Sequence, residues 1–191
     1  WPRSPYGVAK LYGHHITINY REAYGMFAST GILFNHESPM RGEDFVTRKI
    51  SKGIAQWKDH GRPIILGNLE AKRDWGHAED FVEGMQLIMN HSHADDFVLA
   101  TGVIHTVRQF LEMALHYLNI EYYWKDNECF EKNTDKLIST TDTKHLRPAE
   151  VDVLQGDATK AKNELGWQPK HDVESIMADM VEADMKRYYK K

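Results

Sequence analysis

The chain has 191 residues, a formal net charge of −4 and 41% hydrophobic residues, the balance of a soluble α/β protein with length for one core or for pieces of two. The mild acidity excludes a basic face for nucleic acid or for an anionic membrane, so any anionic ligand must be held by a few placed cations. The single cysteine, Cys129, excludes an internal disulfide and fits a reducing, cytoplasmic compartment, and no apolar run approaches membrane length.

The chain opens on Trp1-Pro2-Arg3-Ser4-Pro5, with no initiator methionine and no targeting pattern, and enters a helix at once. That start reads as a cut through a longer protein. Ser4 is a candidate N-cap and Pro5 a first-turn proline, for a helix running to about Tyr24. This helix carries two apolar stripes: Val8, Leu11 and Ile18 on one, Ala9, Tyr12, Ile16, Tyr20 and Ala23 on the other. A helix apolar on two sides is expected to pack on two sides, against a sheet and against another helix or subunit. Phe27–Phe34 reads as a strand buried in a parallel sheet, followed by a loop at 35–39 beyond its carboxyl end, where ligands bind in doubly wound sheets. Phe45, Ile50, Ile54 and Trp57 predict a helix ended by Gly61 and Pro63. A strand at 64–66, a helix at 78–89 and a strand at 97–100 follow. Thr106 and Gln109 form a capping-box pattern opening a helix to about Leu118. Tyr122, Tyr123 and Trp124 read as an edge strand and 125–136 as a charged, solvated loop. Helices at 157–165 and 173–188 complete the chain.

Alternating strands and helices imply an α/β class. A glycine-rich phosphate loop is absent; Gly61 and Gly67 have the wrong spacing and flanks. By itself this chain is therefore not expected to hold a dinucleotide in the usual way. Metal is not expected either. Eleven histidines are present, but the close pairs His14-His15 and His91-x-His93 lack Cys or carboxylate partners at ligand spacing in the sequence. Cys129 reads as incidental, and Trp57, Trp75 and Trp167 as core or anchor residues.

One pair carries chemistry. Tyr6 and Lys10 are four apart at a helix start, so they stand on one face. An ammonium beside a phenol favours the phenolate, and a tyrosine so tuned can take a proton from a hydroxyl while hydride leaves the same carbon. Alone, Y-x-x-x-K is a weak signal that also fits an ordinary surface pair.

The surrounding residues change its weight. Ser4-Pro5-Tyr6-Gly7-Val8-Ala9-Lys10 and Leu165-Gly166-Trp167-Gln168-Pro169 resemble the S-P-Y-x-x-x-K and L-G-W-x-P motifs of extended short-chain dehydrogenases/reductases. Within them, Gly31-Ile32-Leu33-Phe34-Asn35-His36-Glu37-Ser38-Pro39, Phe45-Val46-Thr47-Arg48-Lys49-Ile50, the stretch Leu66–Gly76 and Arg147-Pro148-Ala149-Glu150-Val151-Asp152 resemble the GDP-mannose 4,6-dehydratase family. The likeness covers nearly the whole chain and weakens only between about 120 and 140.

The resemblance implies the C-terminal part of a doubly wound, Rossmann-type parallel sheet plus a smaller α/β substrate-binding domain. Residues 1–40 would belong to the NADP-binding domain and 41–191 mainly to the GDP-sugar domain, with segments around 64–105 returning to the first. It implies NADP as cofactor and GDP-mannose as substrate, which is oxidised at C4, dehydrated across C5 and C6 and reduced at C6. Tyr6 matches the base. Lys10 matches its partner, which also holds the nicotinamide ribose, and His36 and Arg41 match cofactor contacts. For the GDP-sugar, the resemblance points to Asn35, Val46, Lys49, Asn68, Arg73, Arg147 and Glu150, with Arg48 and Lys72 as adjacent alternates. The family's catalytic glutamate, its neighbouring threonine or serine and its glycine-rich loop lie upstream of S-P-Y. The chain is thus expected to need an N-terminal half and to form a homodimer or homotetramer. Another nucleotide-sugar epimerase or reductase, or a fragment that binds nucleotide-sugar without turnover, are the alternatives.

Overall fold

The computed structural model describes residues 1–145, 151 and 153–189. Arg147 and Glu150 lie outside the described residues. The first helix, α1 (Pro5–Tyr24), begins as its sequence demands: the Ser4 side chain accepts from the Gly7 amide at 3.0 Å, and Gly25 ends the helix in the left-handed region at φ 62°. Its two apolar stripes do not find two partners within this chain. No residue of α1 is buried, and Arg21 tethers it by ion pairs to Asp95 and Asp96. The two-sided packing expected of this helix is not seen among the described residues.

Strand β1 (Thr30–Leu33) is shorter than the apolar run that announces it, and β2 (Asn35–Glu37) forms where a loop was expected. The strand exists because β4 (Lys72–His77) supplies a parallel partner, with Asn35 opposite Trp75, His36 opposite Gly76 and Glu37 opposite His77. Between them come α2 (Val46–His60), capped by Gly61 at φ 72°, and β3 (Ile64–Leu66). Helix α3 (Ala78–Met89) is followed by β5 (Asp96–Leu99), which pairs in parallel with β1, and by β6 (Ile104–Thr106), antiparallel to β4. Helix α4 (Val107–Tyr117) carries the complete capping box between Thr106 and Gln109. Strands β7 (Tyr122–Lys125), β8 (Glu128–Glu131) and β9 (Leu137–Thr141) form a four-stranded sheet in the order β3-β9-β8-β7. A short 3-10 turn at Thr143–His145, strand β10 (Val153–Leu154) beside β4, and helices α5 (Thr159–Leu165) and α6 (Val173–Tyr188) follow.

Within 125–136, Lys125 and Glu128–Glu131 are strand and the rest is turn or irregular, a partial correction to its reading as loop. Lys125 opposes Glu128 across a tight turn with Asp126 at φ 54°, and Cys129 points into the core. Its charges face outward from a hairpin, and such a pattern looks solvated when the partner strand is unseen. Tyr122–Lys125 is the edge strand that was expected. Burial pushes the Cys129 thiol up to about 12, which leaves it inert.

Two apolar clusters result. The larger joins α2, α4, α6 and the four-stranded sheet through Ile50, Ile54, Trp75, Phe110, Leu111, Met180 and their neighbours. The smaller comprises Phe81, Ile88, Phe97, Leu99, Ala161 and Trp167, between α3, α5 and the β1–β5 pair. The L-G-W-Q-P stretch pins the second cluster. Gly166 caps α5 at φ 68°, the Trp167 ring meets Phe81 edge-on, and its indole N–H donates to the Asp80 carbonyl at 2.8 Å. Asp74 joins β4 to its neighbours: its buried carboxylate accepts from the Thr101 amide and hydroxyl and from the Gly102 and Gly156 amides. A strand so polar can be buried because every oxygen is satisfied.

Candidate active site

Capping by Ser4 and Pro5 places Tyr6 and Lys10 in the first turns of α1. The Lys10 ammonium stands 5.4 Å from the centroid of the Tyr6 ring, over its face. Tyr6 is 71% exposed, and neither polar end is engaged by another described residue. Both are free to meet a ligand.

A second group assembles on β2 and the loop after it. The ring of His36 lies on Phe81, 5.2 Å between centroids, and its Nδ1 sits 2.8 Å from the Phe34 carbonyl. A carbonyl only accepts, so Nδ1 carries the proton and Nε2 is left as an acceptor in the neutral ring. Gly76 makes room beneath this strand: a Cβ there would come within 2.3 Å of the Phe81 ring. Arg41 spreads its guanidinium 3.5 Å over the Phe45 ring and places Nε 3.2 Å from Glu37 Oε2. The Nε–H points off the carboxylate axis, so this is an ion pair rather than a hydrogen bond. The terminal nitrogens of Arg41 make no hydrogen bond among the described residues.

Glu37 itself is 1% exposed and also accepts from the Thr47 hydroxyl. Burial raises its pKa above the usual carboxylate value, opposed by the Thr47 bond and by the charges of Arg41 and His36.

The residues expected at the GDP-sugar fall into three places. Asn35 and Arg73 share a sheet face, because Asn35 pairs with Trp75 and Arg73 lies two residues earlier on β4. Arg73 donates from Nη1 to the Lys72 and Val151 carbonyls, which ties it to the stretch before β10. Val46 starts α2 and packs against the larger core, while Lys49 lines a 300 Å³ cavity with Lys52, Arg62, Glu43 and Asp44. Asn68 lines another, of 280 Å³, where its Oδ1 accepts from the Glu70 amide at 2.9 Å. Tyr6 and Lys10 make no hydrogen bond or ion pair with any of these, and they line none of the five main cavities.

Arg48, the adjacent alternate, turns inward. It is 6% exposed, its Nε donates to Asp184 Oδ2 at 2.8 Å, and its Nη1 donates to the Pro39 and Arg41 carbonyls at 2.9 and 2.8 Å. The sequence reading missed Glu37, Thr47 and Asp184 as members of this region. The first two sit inside the recognised motifs. Asp184 carried its own signal, a carboxylate on the apolar face of α6 in register with Met177, Met180 and Val181.

The fold also gathers two sets of possible metal ligands that spacing along the chain did not disclose. His77, Glu79 and His171 form one, and His91, His93 and Glu164 the other, each with ligand atoms within 4.8 Å of one another. His77 and His171 are stacked at 4.3 Å with rings 28° apart, and near-parallel rings do not aim two lone pairs at one ion.

The family model described as GDP-mannose 4,6 dehydratase matches residues 1–180. The GDP-mannose 4,6 dehydratase of Homo sapiens is 50% identical over 190 residues, covering 97% of this chain and 51% of its own length. That of Drosophila melanogaster is 48% identical, covering 97% and 48%, and that of Vibrio cholerae 44%, covering 97% and 54%. The chain spans about half the length of the curated relatives it matches. Among solved structures, RMD from Pseudomonas aeruginosa complexed with NADPH superposes with a TM-score of 0.80 at 18% identity, covering 98% of this chain and 57% of that one. UDP-glucuronic acid 4-epimerase from Bacillus cereus, in complex with UDP-glucuronic acid and NAD, gives 0.80 at 16%, covering 98% and 55%. These structural likenesses define the fold.

Proposed function

The chain belongs to the GDP-mannose 4,6-dehydratase family, and we propose that it is the C-terminal portion of an enzyme that converts GDP-mannose to GDP-4-dehydro-6-deoxymannose with NADP. The Rossmann-type α/β fold is the one shared with RMD complexed with NADPH and with UDP-glucuronic acid 4-epimerase complexed with UDP-glucuronic acid and NAD. The observation that carries the reading is the exposed Tyr6–Lys10 pair on one face of a capped helix, in a chain half identical to a named dehydratase.

The donors present fit a nicotinamide nucleotide. The Lys10 ammonium can offer hydrogen bonds to ribose hydroxyls, and His36 Nε2 and the terminal nitrogens of Arg41 make no hydrogen bond among the described residues. When bound, the nicotinamide supplies a hydride acceptor for C4 and returns the hydride at C6. Tyr6, beside Lys10, is the group proposed to take the proton from the C4 hydroxyl. Asn35, Val46, Lys49, Asn68 and Arg73, with Arg147 and Glu150, are the proposed contacts to sugar, diphosphate and nucleoside. Removal of the C5 proton and loss of water from C6 require groups that the reading places in the N-terminal part of the full enzyme. In this reading residues 1–40, with part of 64–105, belong to the cofactor domain, the remainder mainly holds the GDP-sugar, and the enzyme is a cytoplasmic homodimer or homotetramer.

The test is conversion of GDP-mannose by the intact protein and its Tyr6→Phe variant. Retained binding of GDP-mannose with lost turnover supports the assignment; unchanged turnover removes Tyr6 from it. The epimerase and reductase alternatives are separated by product. Loss of water marks a dehydratase, whereas an isomeric or reduced sugar marks the others.

A further inference from the structure

We propose that Glu37 is a positioning residue for cofactor binding, holding Arg41 in its bound orientation while the buried Arg48–Asp184 pair fixes the loop between them. The proposal rests on the reading of Arg41 as a cofactor contact.

Three elements converge on this loop. From α2, Thr47 donates to Glu37, and Arg48 donates to the Pro39 and Arg41 carbonyls. From α6, Asp184 accepts from Arg48 Nε and from the Ser51 hydroxyl at 2.6 Å, and Arg187 donates to the Pro39 carbonyl at 2.8 Å. From β2, Glu37 faces Arg41. The backbone of residues 39–41 is therefore held from below by two arginines, and the Arg41 side chain is held by one carboxylate and one ring. Freezing a long side chain beforehand removes rotamer entropy that a ligand must otherwise overcome on binding.

The carboxylate has no other evident task. At 1% exposure it cannot reach a substrate, and two buried carboxylates within one small region are costly unless each is paired. Glu37 and Asp184 are paired with arginines that both act on residues 39–41. The charged or titratable groups facing Glu37 are Arg41 from the loop, His36 from β2 and His77 across the β2–β4 pairing. Because burial dominates, Glu37 takes up a proton at higher pH than a free glutamate. Protonation removes the charge that holds Arg41, so positioning weakens as pH falls through the raised value.

The experiment measures NADPH and GDP-mannose dissociation constants in the intact protein across pH for the wild type, Glu37→Gln, Arg41→Ala and Arg187→Ala. Glutamine keeps the shape and an acceptor for Thr47 but not the charge. The expected result is a roughly tenfold weaker NADPH complex in Glu37→Gln at neutral pH, the scale of one lost charge-assisted contact, with GDP-mannose affinity unchanged. The difference between wild type and Glu37→Gln should close on acidification, a comparison in which titration of the cofactor's own phosphates cancels. Arg187 is partly exposed, so Arg187→Ala tests the loop without emptying a buried site and should give a smaller rise in the NADPH constant. Unchanged NADPH binding in Glu37→Gln alongside weakened binding in Arg41→Ala overturns the positioning role. Tighter binding in Glu37→Gln also overturns it, since Glu37 would then only offset the charge of Arg41. Equal losses for both ligands would reduce Glu37 to a folding role. If Arg41→Ala itself binds NADPH normally, the cofactor reading of Arg41 fails instead.

Discussion

The body built on α2, α4 and α6 is filled by the larger apolar cluster, whereas the layer of α1, β1, β5, α3 and α5 holds the smaller one and is the more open among the described residues. In the filled body even the charges are buried in pairs, as with Arg48 and Asp184. In the open layer α1 buries nothing, Ile32 on β1 is 40% exposed, and the apolar cluster is small. The Tyr6–Lys10 pair sits on this open layer, while Val46 and Lys49, two of the expected nucleotide-sugar contacts, sit on α2 of the filled body. The difference teaches that stability and proposed chemistry are carried by separate parts, and substitutions should separate them.

The largest effect expected is on activity. Tyr6→Phe should cost on the order of a thousandfold in turnover, within the span of general acid–base contributions, with no shift in thermal midpoint, since the hydroxyl bonds no other described residue. A fall in stability comparable to a core substitution would break the contrast. Next, Asp184→Ala should destabilise the filled body by about 3–5 kcal/mol, because it strands a buried Arg48; denaturant unfolding measures it. Trp167→Ala should cost a comparable ~3–5 kcal/mol if the smaller cluster is as cooperative as the larger one. A much smaller loss, with local proteolysis between 155 and 172, would sharpen the contrast by showing that the open layer loosens independently. Gly76→Ala should cost about 1–3 kcal/mol through overpacking against Phe81, and should disturb His36, read as weaker cofactor binding. The smallest effect belongs to the surface: Glu83→Gln, which breaks the exposed pair with Lys170, should leave the denaturation midpoint essentially unchanged, because solvent screens such a pair.

Much of this architecture was legible. Ser4-Pro5 and Gly25 bracket α1, Gly61 ends α2, and Thr106 with Gln109 opens α4, because caps are satisfied within a few residues of themselves. Helices α3 and α6 were also bounded correctly by their periodic apolar faces. Strand β4 was not legible. Its Asp74 looks like a loop residue until Thr101 and Gly102, in the turn between β5 and β6, and Gly156 bring the donors that satisfy it. Strand β8 was hidden likewise, since outward charges and one inward cysteine do not announce a strand without its neighbour.

For the site, the motifs placed Tyr6, Lys10, His36 and Arg41, and the sequence already implied that the first two share a helix face. Local spacing along a helix is fixed by 3.6 residues per turn, and needs no tertiary knowledge. Only the tertiary structure decided that Arg48 turns inward to Asp184, 136 residues away, that Glu37 is sealed between Thr47 and Arg41, and that Asn35 and Arg73 share one sheet face. Those choices depend on which buried charge finds which partner in a low-dielectric interior, a property of the assembled core and not of any stretch of chain.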